Sequence, residues 1–185
     1  MALYPNGRGN SLRSCKVSVR IRLGPHVTNA KGLNMALESI HLFGLFGLVN
    51  VGQVSQQIYR GAAPSLDGYK TLKDLGIKTI LNLERDREQE VIELLGMKEK
   101  YSPIDFFKNV DEHKIQETMN VLFDESLCPI YVHCAQGRDR TGMVVACYRI
   151  KSGWSNKDAE DEMWSFGFHF VWTHFLEFVQ RYGKA

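Results

Sequence analysis

The chain has 185 residues, 44% of them hydrophobic and 24% charged, which suits one globular α/β domain able to bury a core without disulfides or a structural metal. The net charge of +2 is unevenly spread: residues 1–34 hold Arg8, Arg13, Lys16, Arg20, Arg22 and Lys31 with no acidic residue, leaving 17 of the 23 basic residues against all 21 acidic ones from Met35 onward. The body of the chain therefore lacks the basic excess of a nucleic-acid binder, and the apolar run Ile40–Val51, broken by Gly44, Gly47 and Asn50, is too short to span a membrane.

Residues 1–34, rich in Gly, Ser, Asn and Arg and without periodicity, read as a disordered, non-core extension, or as a stretch upstream of a start at Met35. A signal peptide is not expected, since no small-residue cleavage site follows the apolar run. Residues 35–185 then form one catalytic domain. Regular signals begin near Leu48, where Val49, Val51, Val54 and Ile58–Tyr59 read as short strands around turn residues. Ser65 is placed to cap a helix through Tyr69, Leu72 and Leu75 that stops at Gly76. Ile77–Leu83 has the make-up of a buried strand, and Glu88–Leu95 of a helix ending at Gly96. After the less regular stretch Tyr101–Phe107, the spacing of Ile115, Met119 and Leu122 predicts a helix over Glu112–Phe123. Pro129–His133 is strongly β, Thr141–Ile150 helical, and two further helices cover Asn156–Phe166 and Phe170–Tyr182. Strands alternating with helices predict a mostly parallel sheet with helices on both faces.

One segment carries the chemistry: Val132-His133-Cys134-Ala135-Gln136-Gly137-Arg138-Asp139-Arg140-Thr141-Gly142. A loop between a strand and a helix directs successive backbone N–H groups at one point, and the helix adds its positive end. Ala135, Gln136, Gly137, Arg138, Asp139 and Arg140 would thus hold a phosphate. Cys134 at the mouth becomes a nucleophile, because the amides and a nearby Arg favour the thiolate. Arg140 can grip two phosphate oxygens with its planar fork, and Thr141 can hydrogen-bond the sulfur as it leaves. Preorganised amides and Arg140 neutralise a transferring phosphoryl group, so no metal or other cofactor is called for. His133 reads as a support for the loop rather than a base. None of Cys15, Cys128, Cys134 and Cys147 forms a CxxC pair or a zinc-site spacing; Cys147 and Cys128 read as core, with a resolving thiol as the other reading of Cys128. A catalytic thiol fits a reducing, cytoplasmic setting.

HCAQGRDRTG completes the pattern HCxxGxxR[ST], and here the sequence resembles the protein tyrosine phosphatase superfamily. Rhodaneses and arsenate reductases also set a reactive Cys in a tight loop, but they lack the preceding His and the following Arg-Thr-Gly. Ile58-Tyr59-Arg60-Gly61-Ala62-Ala63-Pro64 and Leu75–Leu83 are similar to the opening of compact dual-specificity phosphatases of bacterial and atypical plant-fungal type. The resemblance runs from about Val49 to the C-terminus. It implies a central sheet of four to five strands, hydrolysis through a cysteinyl-phosphate, and a monomeric enzyme. It also implies a general acid on a loop upstream of the cysteine. Asp105, in SPIDFF, occupies that position without the Trp-Pro-Asp of the larger enzymes. Asp139 is a competitor, as myotubularin-like phosphatases also place Asp before the loop Arg, and Asp111 is a third candidate. For substrate the resemblance offers a phosphotyrosine protein, with phosphoserine and phosphothreonine, or an inositol polyphosphate; Arg85, Arg87, Lys108 and Lys114 could ring a pocket for the latter. A catalytically silent phosphate-binding module is the rival from another class.

Overall fold

Alternation along the strands sorts the core into two halves, as period-two side chains must. In a computed structural model that describes residues 18–20 and 39–184, β4 (Ile58–Ala62), β5 (Thr79–Asn82), β6 (Lys98–Tyr101) and β7 (Ile130–Cys134) form a parallel block in the order β4-β7-β5-β6. Ile58, Leu81, Ile130 and Val132 face one side, where α3 (Glu112–Leu122), α4 (Asp139–Lys151), α5 (Asn156–Ser165) and α6 (Thr173–Arg181) cover them. Ile80 and Tyr131 face the other, under α1 (Leu66–Asp74) and α2 (Gln89–Leu94). The expected α/β architecture with helices on both faces is what the chain adopts.

The sheet is longer than four to five strands. Three antiparallel strands, β1 (Ser18–Arg20), β2 (Ile40–Phe43) and β3 (Val51–Gln53), extend it past β4 to a total of seven among the described residues. The sequence signals missed β2, whose IHLF belongs to an apolar run interrupted by glycines, and β6, whose KEKY has little β propensity. β6 lies at the edge, where charged side chains protect against further pairing. Apart from Ser18–Arg20, the expected N-terminal extension lies outside the described residues, as does Cys15.

Local chemistry sets the element ends. Ser65 Oγ accepts from the Gly68 N–H at 3.2 Å, and Gly76 takes φ +81° after α1, as expected. Asp111 caps α3, accepting from His113 and Lys114 N–H groups, which gives that carboxylate a structural task. α6 starts at Thr173, three residues later than Phe170. The central strand β7 lies between β4 and β5, and the chain reaches it from β6 across the face opposite to α1 and α2. The carboxyl end of such a strand opens on a crevice, and there the HCAQGRDR loop begins.

Candidate active site

β7 ends on Cys134 and α4 begins at Asp139, so the loop is the short link between a fully buried strand and the helix. Cys134 is buried, at 2% exposure, and forms no disulfide among the described residues. Three consecutive carbonyls of the loop are held from behind. Ala135 O accepts from the Ala63 N–H at 3.3 Å. Gln136 O accepts from Asn50 Nδ2 at 3.3 Å, and Gly137 O from Asn50 Nδ2 at 3.2 Å and from Arg60 Nη2 at 3.0 Å. In a trans peptide the C=O and the next N–H point opposite ways. Fixing these carbonyls outward therefore aims the N–H groups of Gln136, Gly137 and Arg138 into the bowl. Gly137 has φ +68°, and a Cβ there would meet Gly61 C at 2.3 Å, so only glycine lets the loop press against β4.

Arg140 is buried and braced on three sides. Its Nη2 donates to Glu84 Oε1 at 2.5 Å, its Nη1 to Leu83 O at 3.3 Å, and its guanidinium carbon lies 4.0 Å from the Phe106 ring centre. Glu84 is itself set by Asn82 at the end of β5, whose Oδ1 accepts from the Glu84 N–H at 2.8 Å. Such bracing fixes the plane of the guanidinium before any anion arrives.

The remaining predicted residues take distinct places. Thr141 Oγ1 is buried without a hydrogen-bond partner, so the expected bond to the Cys134 sulfur is not formed in this structure. His133 is buried, and burial above all, with the nearby Arg140 charge, pushes its imidazole down to about 4 against the opposing Glu99 charge and the Cys134 backbone. It is neutral at pH 7. Asp139 faces the α5–α6 connection, where its carboxylate accepts from the His169 N–H at 2.8 Å and lies 3.0 Å from His169 Nδ1. His169 Nε2 in turn lies 3.3 Å from Arg138 Nη1, so Asp139 orients the histidine that meets the loop cation. Asp105 adjoins the Phe106 that stacks on Arg140. Its carboxylate accepts from the Phe107 N–H at 2.9 Å and from Arg85 Nη2 at 2.8 Å, with Lys108 Nζ at 4.0 Å. The Phe107 amide first, then Arg85 and Lys108, hold it below the usual carboxylate range against the opposing effect of burial. Arg87 and Lys114 are paired with Glu99 and Glu117, whereas Arg85 and Lys108 belong to the Asp105 segment. Cys147 is core, and burial raises its thiol, as it does that of Cys128.

Sequence reasoning gave no role to Asn50, Arg60, Glu84 or Phe106. Arg60 carried a signal, a charge inside the apolar strand Ile58–Ala62; Asn50, at φ +52°, carried none.

The parallel strands of this mixed sheet carry the cysteine loop at the carboxyl end of the central strand. Residues 46–184 match the model of the tyrosine phosphatase family. The chain belongs to that family. A relative from Debaryomyces hansenii, which bears a provisional tyrosine-protein phosphatase name, OCA1, is 30% identical over 131 residues, 62% of this chain and 65% of the relative. The inositol diphosphatase DSP2 of Oryza sativa subsp. japonica is 30% identical over 122 residues, covering 62% of this chain and 60% of the rice protein. The chain thus spans less than two thirds of the length of these curated relatives. The core catalytic domain of the Saccharomyces cerevisiae PP-IP phosphatase SIW14 shares the fold, with a TM-score of 0.69 at 24% identity over 75% of this chain and 88% of that one. Among the described residues no helix is long and apolar enough to cross a membrane.

Proposed function

We propose that the protein hydrolyses phosphate monoesters through a phosphocysteine formed on Cys134. The observation that carries this reading is the loop whose Ala135, Gln136 and Gly137 carbonyls are tied away from the cysteine, leaving the following amides to receive an oxyanion. The Cys134 sulfur attacks phosphorus, the S–P bond forms, and the P–O bond to the leaving group breaks with its electron pair on oxygen. Asp105 supplies the proton to that oxygen, then takes one from the water that attacks phosphorus and frees the thiolate. Arg140 and the loop amides hold the equatorial oxygens through both steps. Asp139, already engaged by His169, is the less suited of the two carboxylates to protonate a leaving group.

For the substrate, a phosphotyrosine protein fits the aromatic wall of Phe106, Phe107 and Trp172, whose rings adjoin one another beside Arg140, Phe107 being 86% exposed. A second reading, an inositol polyphosphate, is supported by Arg138 in the loop, by Arg85 and Lys108 beside Asp105, and by the name of the rice relative. The protein is expected to act as a monomer in a reducing compartment. Wild type should hydrolyse para-nitrophenyl phosphate and Cys134→Ser should not; retained turnover in that variant would sink the mechanism. Comparing initial rates on phosphotyrosine peptides and on inositol phosphates decides between the two substrates.

A further inference from the structure

We infer that Arg60 is a positioning residue for catalysis, a buried cation under the phosphate loop that aims one of its amides and balances charge beneath the cysteine. The inference rests on the proposed cysteine chemistry and adds a residue outside the signature motif. Arg60 sits in β4, and its side chain is wholly buried. Nη2 donates to Gly137 O at 3.0 Å, and the guanidinium carbon lies over Phe166, 3.9 Å from the ring centre. Nε and Nη1 are buried without hydrogen-bond partners among the described residues.

The geometry gives the cation two effects. Gly137 O and the Arg138 N–H belong to one peptide plane, so pulling that oxygen toward Arg60 directs the N–H to the opposite, loop-facing side. The peptide's dipole is thereby aligned with an oxyanion in the bowl, with Arg60 behind it. Charge is the second effect. Glu162, which faces Arg60, is already engaged by Arg149, with Nε at 3.0 Å and Nη2 at 2.9 Å. Arg60, Glu162 and Arg149 together form a buried group of two cations and one anion, all shielded from water. The surplus positive charge lies within electrostatic reach of Cys134, and Tyr131 is the remaining titratable neighbour. Burial first, and Arg149 second, push Arg60 down to about 10, against Glu162, Cys134 and Tyr131, so it stays charged at pH 7. As the transferring phosphoryl group gathers charge, a fixed cation in a dry site stabilises it without reorganisation.

Arg60→Met, Arg60→Lys and Asn50→Gly are the test, the last because Asn50 holds the same Gly137 carbonyl and glycine keeps its positive φ. The readouts are kcat and KM on para-nitrophenyl phosphate and the inhibition constant of orthovanadate, which mimics the five-coordinate phosphorus. Arg60→Met should lower kcat by roughly 30- to 100-fold and weaken vanadate by a similar factor, with KM changed far less. Lysine, restoring charge and one donor, should recover part of both. A folded Arg60→Met with wild-type kcat and vanadate inhibition would overturn the inference. So would activity that falls only in step with the folded fraction in thermal melts. Should Arg60→Met fail to fold, Asn50→Gly decides: about tenfold weaker vanadate is expected, and an unchanged constant overturns. If wild type proves inert on the ester, the chemistry proposed above fails, and vanadate binding by calorimetry to wild type and Arg60→Lys tests the role of Arg60 alone.

Discussion

The two walls of the site are built on opposite plans. On the loop side the carbonyls are tied to Ala63, Asn50 and Arg60, with a buried ion group behind them. Across the mouth, the Asp105 segment rests on an ion pair whose Arg85 side chain is 70% exposed, and Phe107 next to it is bare. The contrast matches the demands of the proposed reaction. Groups that stabilise the phosphoryl charge must be in place beforehand, because their reorganisation would add to the barrier. A proton donor must approach a leaving group and later a water, so its wall gains from weak, solvated contacts.

Breaking the tied wall should give the largest effects. Cys134→Ser should reduce turnover on the order of 10⁴-fold or more while oxyanion binding persists, since the cradle remains; loss of both would mean that the loop depends on the sulfur for its shape. Glu162→Gln should be the most destabilising change away from the loop. It leaves Arg149 and Arg60 in the core without a counter-charge, a change that costs about 3–5 kcal/mol. Burial raises the Glu162 carboxyl, but the hydrogen bonds and charge of Arg149, then Arg60 and Ser39, outweigh it and hold the group below its ordinary range. A depressed carboxylate contributes stability that is full above the unfolded value of about 4.3 and is lost as pH falls through the folded one. Urea midpoints should therefore fall in wild type on acidification from pH 7 to below 4, and the gap to Glu162→Gln should narrow. Equal midpoints at pH 7 would show that the ion group does not hold this wall.

How much was legible in the sequence follows the same division. Cys134, Arg140 and the strand-loop-helix setting were readable because the loop's chemistry is local: its donors are its own backbone, and its ends are a β-rich run and a helix. The helices α1 and α3 were readable through their caps and periodicity. What could not be read acts across the chain. Asn50 and Arg60 reach the loop from more than seventy residues away, and Glu84 meets Arg140 over a separation of 56. Asp139 and His169 likewise meet only because α5 and α6 fold back on α4. β6 escaped because a charged edge strand has the composition of a surface loop.

The open wall should yield smaller and more pH-dependent effects. Asp105→Asn should lower kcat about 10²-fold on a substrate with a poor leaving group, and less on para-nitrophenyl phosphate, whose leaving oxygen needs little help. The basic limb of its pH–rate profile should flatten; a limb that persists would remove Asp105 as the acid and return attention to Asp139. Arg85→Ala is the mildest and the most informative probe. Arg85 favours the ionised form of Asp105, second to the Phe107 amide among the groups that lower its titration. A general acid must be protonated to act, and a depressed carboxyl is protonated only at low pH, so the basic limb of the free enzyme should lie well below neutrality. Removing Arg85 weakens the hold on the anion and raises the titration toward the ordinary carboxylate value. The limb should then move to higher pH, and only modestly because the pair is solvated. Since kcat/KM reports the free enzyme and kcat the complex, a shift confined to kcat/KM would show that substrate binding already parts Asp105 from Arg85.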